Sequence, residues 1–303
     1  MIVLYNPRSN GSGKRILPMS LLALGSLLEG RHDYTIVDGN IETDPLTRLD
    51  HLAQAGALAA EAARAGASLV LLPEYFGILG ARATDKVRLA ERDGDGPQQA
   101  FLARTARELG IALIGGSVPV ATADPSRVRS ACLAYGPAGE RLARYDKIHL
   151  FRFAQGDEAY DETRTIERGG EVVAFDAPMG RVGPSICYDL RFPERYRALG
   201  DCALVCVPSA FTWTTGNAHW HLLLRARAVE NQTYVLAAAQ GGVHGNGRRT
   251  YGHSMLVDPW GEIVAERAEG GPGVVVGRCD PARTAEVRAK LPAHAHRVIG
   301  QDR

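Results

Sequence analysis

The sequence predicts an α/β fold with mixed sheets, and three observations carry the prediction. Continuous apolar runs of strand length, at residues 68–72, 111–118 and 203–208, alternate with stretches of helical spacing. Strands apolar on both faces are those of α/β proteins, where helices cover the sheet. The turn Gly136-Pro137-Ala138-Gly139 sits between two strand-like segments and marks an antiparallel hairpin beside the parallel pattern. The chain has 303 residues, 45% apolar and 23% charged, enough for one large domain or two small ones with a sizeable core.

Residues 1–48 read as an atypical βαβ-like segment, with a strand at 2–5, a polar loop at 6–14, a helix at 17–29 and a strand at 34–38. Gly11-Ser12-Gly13-Lys14 fails as a phosphate loop, because Arg8 stands where its first glycine is needed and Arg15 where Ser or Thr is needed. Residues 49–303 form the main domain. An alanine-rich helix at 49–65 ends at Gly66, a residue suited to a C-cap. The strand at 68–74 ends in Glu74, a helix at 98–110 precedes the strand at 111–118, and the hairpin at 130–135 and 140–145 runs into Asp146-Lys147. Strand character at 171–175 and 180–182 leads to Cys187, followed by a helix at 195–199 and a strand at 203–208. After a loop at 212–217 come a helix at 219–231, strands at 233–239 and 254–258, a tight turn at 259–261, a closing strand at 274–278 and a helix at 281–290.

A net charge of +1 gives no electrostatic reason to expect a nucleic-acid or membrane partner. Five scattered cysteines without a CxxC pair exclude a disulfide framework and a zinc ribbon, and place Cys202 and Cys206 in the core. No apolar run reaches the roughly 18–20 residues that span a bilayer, and no signal sequence is legible at the start, so a cytoplasmic protein is expected.

Three reactive side chains stand at or beside strand ends: Glu74, Lys147 and Cys187. Strand ends of an α/β core converge on one edge, and an acid, an amine and a thiol there make an acyl-transfer set. The thiolate attacks, the carboxylate moves the proton, and the ammonium with a backbone N–H near Cys187 or Tyr188 holds the oxyanion. Each residue also has a plainer reading: Cys187 as a small buried hydrophobe, Glu74 and Lys147 as solvated charges. A cysteine–histidine pair with His149 or His219 as base is the competing catalytic arrangement. Trp213, Trp220 and Phe211 read as core as readily as substrate wall.

Taken together, Leu72-Pro73-Glu74, the stretch from Tyr145 through Asp146-Lys147-Ile148-His149 to Phe151, and the stretch from Cys187 through Tyr188-Asp189-Leu190-Arg191 to Glu194 resemble the nitrilase superfamily of carbon–nitrogen hydrolases, over residues 51–297. The resemblance implies a four-layer α-β-β-α sandwich, a catalytic set of Glu74, Lys147 and Cys187, no metal or organic cofactor, and a homo-oligomer, dimer or tetramer. Tyr160-Asp161-Glu162-Thr163 matches the family's second glutamate stretch, which implies Glu162 as a fourth catalytic residue, with Glu158 as its rival. The same resemblance implies substrate contacts from Tyr188, Arg191, Phe211, Thr212 and His219.

Within the superfamily, Gly216-Asn217-Ala218-His219-Trp220, the stretch from Leu224 to Gln232, Ala237-Ala238-Ala239-Gln240 and the stretch from Tyr251 to Gly261 are most similar to the branch of deaminated glutathione amidases. That branch removes an amide nitrogen from α-keto-acid forms of glutathione. ω-Amidases share much of this pattern, and N-carbamoyl amino acid hydrolases and nitrilases share the catalytic set. An inactive binding module on the same fold is the alternative of another class. Two departures stand out: His221 occupies a position where the branch carries glutamate, and the family's opening strand is missing. Residues 1–48 instead resemble the start of cobalamin-binding radical-SAM proteins, without the histidine or three-cysteine motifs that would imply their cofactors. Residues 35–38 lie at the right distance before His51 to supply the missing strand.

Overall fold

The computed structural model describes residues 2–6, 34–38, 45–80, 82–156, 158–268 and 271–298. The chain divides into two units, Met1–Ala53 and Gln54–Arg303. In the first, β1 (Ile2–Asn6) and β2 (Tyr34–Asp38) pair in parallel, from Ile2 opposite Tyr34 to Asn6 opposite Asp38. The helix expected at 17–29 and the glycine-containing loop before it lie outside the described residues.

The long helix α1 (Pro45–Arg64) is followed by Gly66, which takes a positive φ of 91° where a side chain would be strained. The short strand β3 (Leu69–Leu71) stops sooner than the apolar run suggests. Leu72 N–H still reaches the Ile114 carbonyl at 2.9 Å, but Pro73 has no N–H to continue the ladder. Then come α2 (Asp85–Arg88), α3 (Pro97–Leu109), β4 (Ala112–Ala121), β5 (Val128–Tyr135) and β6 (Arg141–Asp146). β3 and β4 pair in parallel, β4, β5 and β6 antiparallel, in one four-stranded sheet.

A hairpin of β7 (Arg152–Gln155) and β8 (Glu158–Asp161) follows, then β9 (Phe175–Ala177), β10 (Gly180–Pro184), α4 (Pro193–Ala198), β11 (Leu204–Ser209), α5 (Trp213–Asn231) and β12 (Tyr234–Ala239). A small hairpin of β13 (Gly241–Val243) and β14 (Arg249–Tyr251) precedes β15 (Ser254–Val257), β16 (Ile263–Arg267) and α6 (Pro281–Lys290). The second sheet has the order β16-β15-β12-β11-β10-β9. Its β10, β11 and β12 are parallel and its outer strands antiparallel, so both sheets are mixed, or joined from both kinds of pair, as expected.

The two sheets share one apolar core. Ile114, Cys132, Ala134 and Tyr145 of the first meet Val182, Val205, Cys206, Val207 and Leu256 of the second. α3 covers β4 and β5 on one outer side, and α5 covers β12 and β15 on the other, which gives the four layers α-β-β-α. Cys202 and Cys206 are buried in this core.

Three further expected elements differ. The strand expected at 171–175 forms only from its last residue onward, as β9. The loop at 212–217 is instead the first turn of α5, because the Thr212 hydroxyl accepts the Thr215 N–H at 3.2 Å and caps the helix there. No strand forms at 274–278. The tight turn at 259–261 sends the chain straight back as β16, which takes the β15 edge first. Asp258 Oδ1 fixes that turn, accepting the Trp260 and Glu262 N–H groups at 2.9 and 2.8 Å.

Candidate active site

Three strand ends bring together Glu74, Lys147 and Cys187. Glu74 stands three residues beyond β3, Lys147 directly after β6, and Cys187 three residues beyond β10. All three are buried: Glu74 and Lys147 are 1% exposed and Cys187 7%.

The loop carrying Glu74 is fixed by close backbone approach. A Cβ on Gly116 would lie 1.8 Å from the Pro73 carbonyl oxygen, so only glycine lets β4 run this close. The β4–β5 pairing shifts register between Gly115 and Val118 to permit it. Tyr75, at φ 59°, donates its N–H to Ser117 Oγ at 2.9 Å, and Gln240 Nε2 donates to the Glu74 carbonyl at 3.1 Å.

Lys147 Nζ donates to Glu74 Oε1 at 2.8 Å and to Glu162 Oε1 at 2.9 Å. Glu162, at the start of the 3₁₀ turn Glu162–Arg164, also accepts the Tyr75 hydroxyl at 2.8 Å and the Phe151 N–H at 2.7 Å. Lys86 Nζ adds a bond to the Tyr75 hydroxyl at 3.3 Å. Glu158 is elsewhere: it accepts the Thr214 hydroxyl at 2.8 Å. Burial alone pulls the Lys147 ammonium down, but Glu162 and then Glu74 outweigh it and hold its pKa well above the ordinary lysine value. Burial pushes Glu162 up, yet Lys147, Lys86 and the Phe151 N–H bring it below the usual carboxylate range. Burial pulls the Lys86 ammonium below its ordinary value.

Cys187 opens the 3₁₀ turn Cys187–Arg191 with a φ of 48°, a left-handed conformation unusual for a residue with a side chain. Asp189 enforces the turn from below. Its Oδ2 accepts the Ile186 N–H at 2.9 Å and the Tyr145 hydroxyl at 2.7 Å, and its Oδ1 accepts the His149 N–H at 3.1 Å. The Ala210 N–H acts on the Cys187 sulfur in the sense that favours its charged form. Burial first, then the Glu74 carboxylate, push the thiol well above the ordinary cysteine value, with Lys147 and the Ala210 N–H acting against them. Burial thus favours the thiol form of Cys187, which becomes a nucleophile when its proton moves to a base.

At the sulfur lies a pocket of about 210 Å³ lined by Phe151, Cys187, Tyr188, Arg191, Ala210, Phe211, Thr212 and Thr215. Tyr188, Arg191, Phe211 and Thr212 thus gather at the thiol. His219 does not line the pocket; its Nδ1 lies 3.3 Å from Arg191 Nη1, one step behind. Arg191 is half-buried, and no carboxylate among the described residues pairs with it. Burial pulls its pKa down. Of the two rival bases, His149 has its Nδ1 on Asp189 Oδ1 at 2.8 Å and its ring stacked on Phe192, centroids 3.7 Å apart. Among the described residues, neither histidine bonds the Cys187 sulfur.

Sequence reasoning missed Tyr75, Lys86, Phe151, Ala210 and Thr215. Tyr75 and Phe151 stood next to or inside the quoted stretches. Thr215 was hidden by reading 212–217 as a loop, and nothing in the sequence flags Lys86 or the Ala210 N–H.

The sequence model of the carbon-nitrogen hydrolase family matches residues 37–289. The chain is 39% identical over 236 residues to a deaminated glutathione amidase of Yersinia enterocolitica, covering 76% of this chain and 82% of that one. It is also 39% identical over 248 residues to omega-amidase NIT2 of Homo sapiens, covering 80% and 87%. Among solved structures, XC1258 of Xanthomonas campestris, a CN-hydrolase superfamily protein with an arsenic adduct in the active site, superposes with a TM-score of 0.72 at 32% identity, covering 84% of this chain and 94% of that one.

Proposed function

The chain belongs to the carbon–nitrogen hydrolase family, and on that premise we propose that it hydrolyses a small carboxamide bearing a carboxylate to the acid and ammonia, through a thioester on Cys187. The observation that carries this reading is the buried Lys147 ammonium held between Glu74 and Glu162 beside a left-handed cysteine under an open pocket.

Glu74 takes the Cys187 proton as the sulfur attacks the amide carbon, and the C=O electrons move onto oxygen. Lys147, whose positive charge the two glutamates secure, stabilises that oxyanion together with backbone N–H groups. The tetrahedral adduct collapses with cleavage of the C–N bond, and Glu74 returns its proton to the departing ammonia. Water then enters, Glu74 accepts one of its protons as the water oxygen bonds the thioester carbon, and the adduct collapses with cleavage of the C–S bond, Glu74 returning the proton to the sulfur to give the acid and the thiol. Glu162 fixes the Lys147 head throughout and so acts as a positioning partner of Glu74, Lys147 and Cys187.

Arg191, which lines the pocket and has no carboxylate partner among the described residues, supports a substrate with an anionic end, since a half-buried guanidinium gains most from a carboxylate. Deaminated glutathione is the first substrate proposed for this site, and ω-amides of other α-keto acids the second. Nitriles and N-carbamoyl amino acids would use the same residues. We propose further that the enzyme works as a homo-oligomer, dimer or tetramer, in the cytoplasm; among the described residues, no helix is long and apolar enough to cross a membrane.

The test is ammonia release from a panel of deaminated glutathione, ω-amides of α-keto acids, a ureido acid and a nitrile. The amides should lead, and Cys187→Ala and Glu74→Gln should each abolish release, by about 10³-fold or more. Full activity in the alanine variant refutes the mechanism.

A further inference from the structure

We propose that His221, His253 and Glu266 form a binding site for one divalent transition-metal ion of the zinc type. The three residues come from three elements: His221 from α5, His253 from the residue before β15, and Glu266 from β16. They meet at one oxygen. Glu266 Oε1 lies 2.8 Å from His221 Nε2 and 2.6 Å from His253 Nδ1, and the three ligand atoms all fall within 4.8 Å of one another.

The distances suit an ion once it enters. Zinc binds imidazole nitrogen at about 2.0–2.1 Å and carboxylate oxygen at about 2.0–2.2 Å, so tetrahedral ligand atoms stand roughly 3.3–3.5 Å apart. The two histidine–carboxylate separations, now those of hydrogen bonds, need to open by roughly 0.5–0.9 Å to reach that, while the two histidine nitrogens already stand within 4.8 Å of each other. Two imidazoles and a carboxylate are a borderline donor set that favours zinc, cobalt, nickel or copper over magnesium or calcium. All three side chains are partly open to solvent, at 34, 21 and 24% for His221, His253 and Glu266, which leaves room for water as the fourth ligand.

The histidines are held in place before any ion arrives. His253 has a φ of 60°, and its carbonyl accepts Trp220 Nε1–H at 2.8 Å. Its ring stacks on Tyr251 with centroids 4.3 Å apart at 21°. His221 packs edge-on against His253, centroids 5.1 Å apart. On the same helix, His219 reaches Arg191 whereas His221 reaches Glu266, so the cluster is separate from the thiol pocket. An ion here would tie α5, whose N-cap Thr212 and first-turn Thr215 line the pocket, to the outer strands of the six-stranded sheet.

The experiment uses the full chain with Cys187→Ser, which removes the thiol as a rival ligand, after chelator treatment. Cobalt(II) is titrated by visible absorption and zinc(II) by calorimetry. One ion per chain should bind, zinc should displace cobalt, and the melting temperature should rise with metal. His221→Gln keeps a donor to Glu266, and Glu266→Gln keeps the shape; each should weaken binding at least about tenfold and remove the metal-dependent rise in melting temperature. The metal-free melting temperature of each variant shows that its fold is intact. The proposal is overturned if the Cys187→Ser protein binds no stoichiometric ion, or if both glutamine variants bind as the parent does.

Discussion

Two carboxylates flank the candidate catalytic centre, and they are built alike but do different things. Glu162 accepts a tyrosine hydroxyl, from Tyr75, and a backbone N–H, from Phe151. Asp189 also accepts a tyrosine hydroxyl, from Tyr145, and backbone N–H groups, from Ile186 and His149. The difference is the cation. Glu162 bonds the Lys147 ammonium directly, whereas Arg195 reaches Asp189 through Tyr145, donating to the hydroxyl at 3.0 Å. Asp189 therefore grips Lys147 by its chain, two residues to either side at Tyr145 and His149, and grips Cys187 through Ile186. Glu162 grips Lys147 by its head. Position of the backbone and charge of the reacting group are secured by separate carboxylates.

The comparison is most exposed to Asp189→Ala. That change removes a fully buried carboxylate and leaves the buried Tyr145 hydroxyl and Ile186 N–H, and the half-buried His149 N–H, without their acceptor. We expect a loss of about 3–5 kcal/mol in unfolding free energy, read by denaturant titration, together with loss of ammonia release. A variant that melts like the wild type but is inactive would make Asp189 a chemical group and erase the distinction.

Glu162→Gln should show the opposite balance. The amide keeps a hydrogen-bond acceptor for Tyr75 or Phe151 but removes the largest influence holding Lys147 charged. We expect kcat for ammonia release to fall about 10²-fold, with a stability change well below that of Asp189→Ala. The pH dependence sharpens this. The Glu162 pKa is lowered on folding, so its contribution is present above the ordinary glutamate value of about 4.3 and is lost as pH falls through the lower folded value. The stability difference between wild type and Glu162→Gln should be flat from neutral pH to about 4.3 and shift in favour of the variant below it. A difference that changes between pH 5 and 8 would assign the linkage to another group.

How much of this could be read from the sequence follows from where the information lies. Glu74, Lys147 and Cys187 each close an apolar run or a hairpin strand, and strand ends in an α/β core meet at one edge, so their convergence was legible. The hairpin at Gly136–Gly139 and the helix Pro281–Lys290 were legible for the same reason: turn residues and a proline at the first helical position are local signals. The first turn of α5 was not, because its start depends on one hydroxyl, that of Thr212, folding back on Thr215. β16 was missed because the three consecutive valines at 274–276 carry a stronger strand signal than residues 263–267, while pairing went to the segment nearest β15 in the chain. Asp189 stood inside a quoted stretch, but its role spans 44 residues to Tyr145 and no periodicity encodes that. The His221, His253 and Glu266 cluster is likewise assembled over 45 residues and left no local pattern.

The smallest expected effect is that of Tyr75→Phe, and it isolates one bond on the Glu162 side. Tyr75 keeps its backbone place, because its N–H is held by Ser117 Oγ and its left-handed φ by the close approach of Gly116 to Pro73. Only the hydroxyl leaves. Glu162 then retains Lys147 and the Phe151 N–H, while Lys86 loses its contact with the Tyr75 oxygen. A single hydrogen bond to a charged group that keeps its other partners should cost about 1 kcal/mol, or about fivefold in kcat. Tyr75 does not line the pocket over Cys187, so KM should stay unchanged. Steady-state ammonia release separates the two constants: a rise in KM with kcat intact would place the hydroxyl on the substrate rather than on Glu162, and the division of labour between the two carboxylates would have to be redrawn.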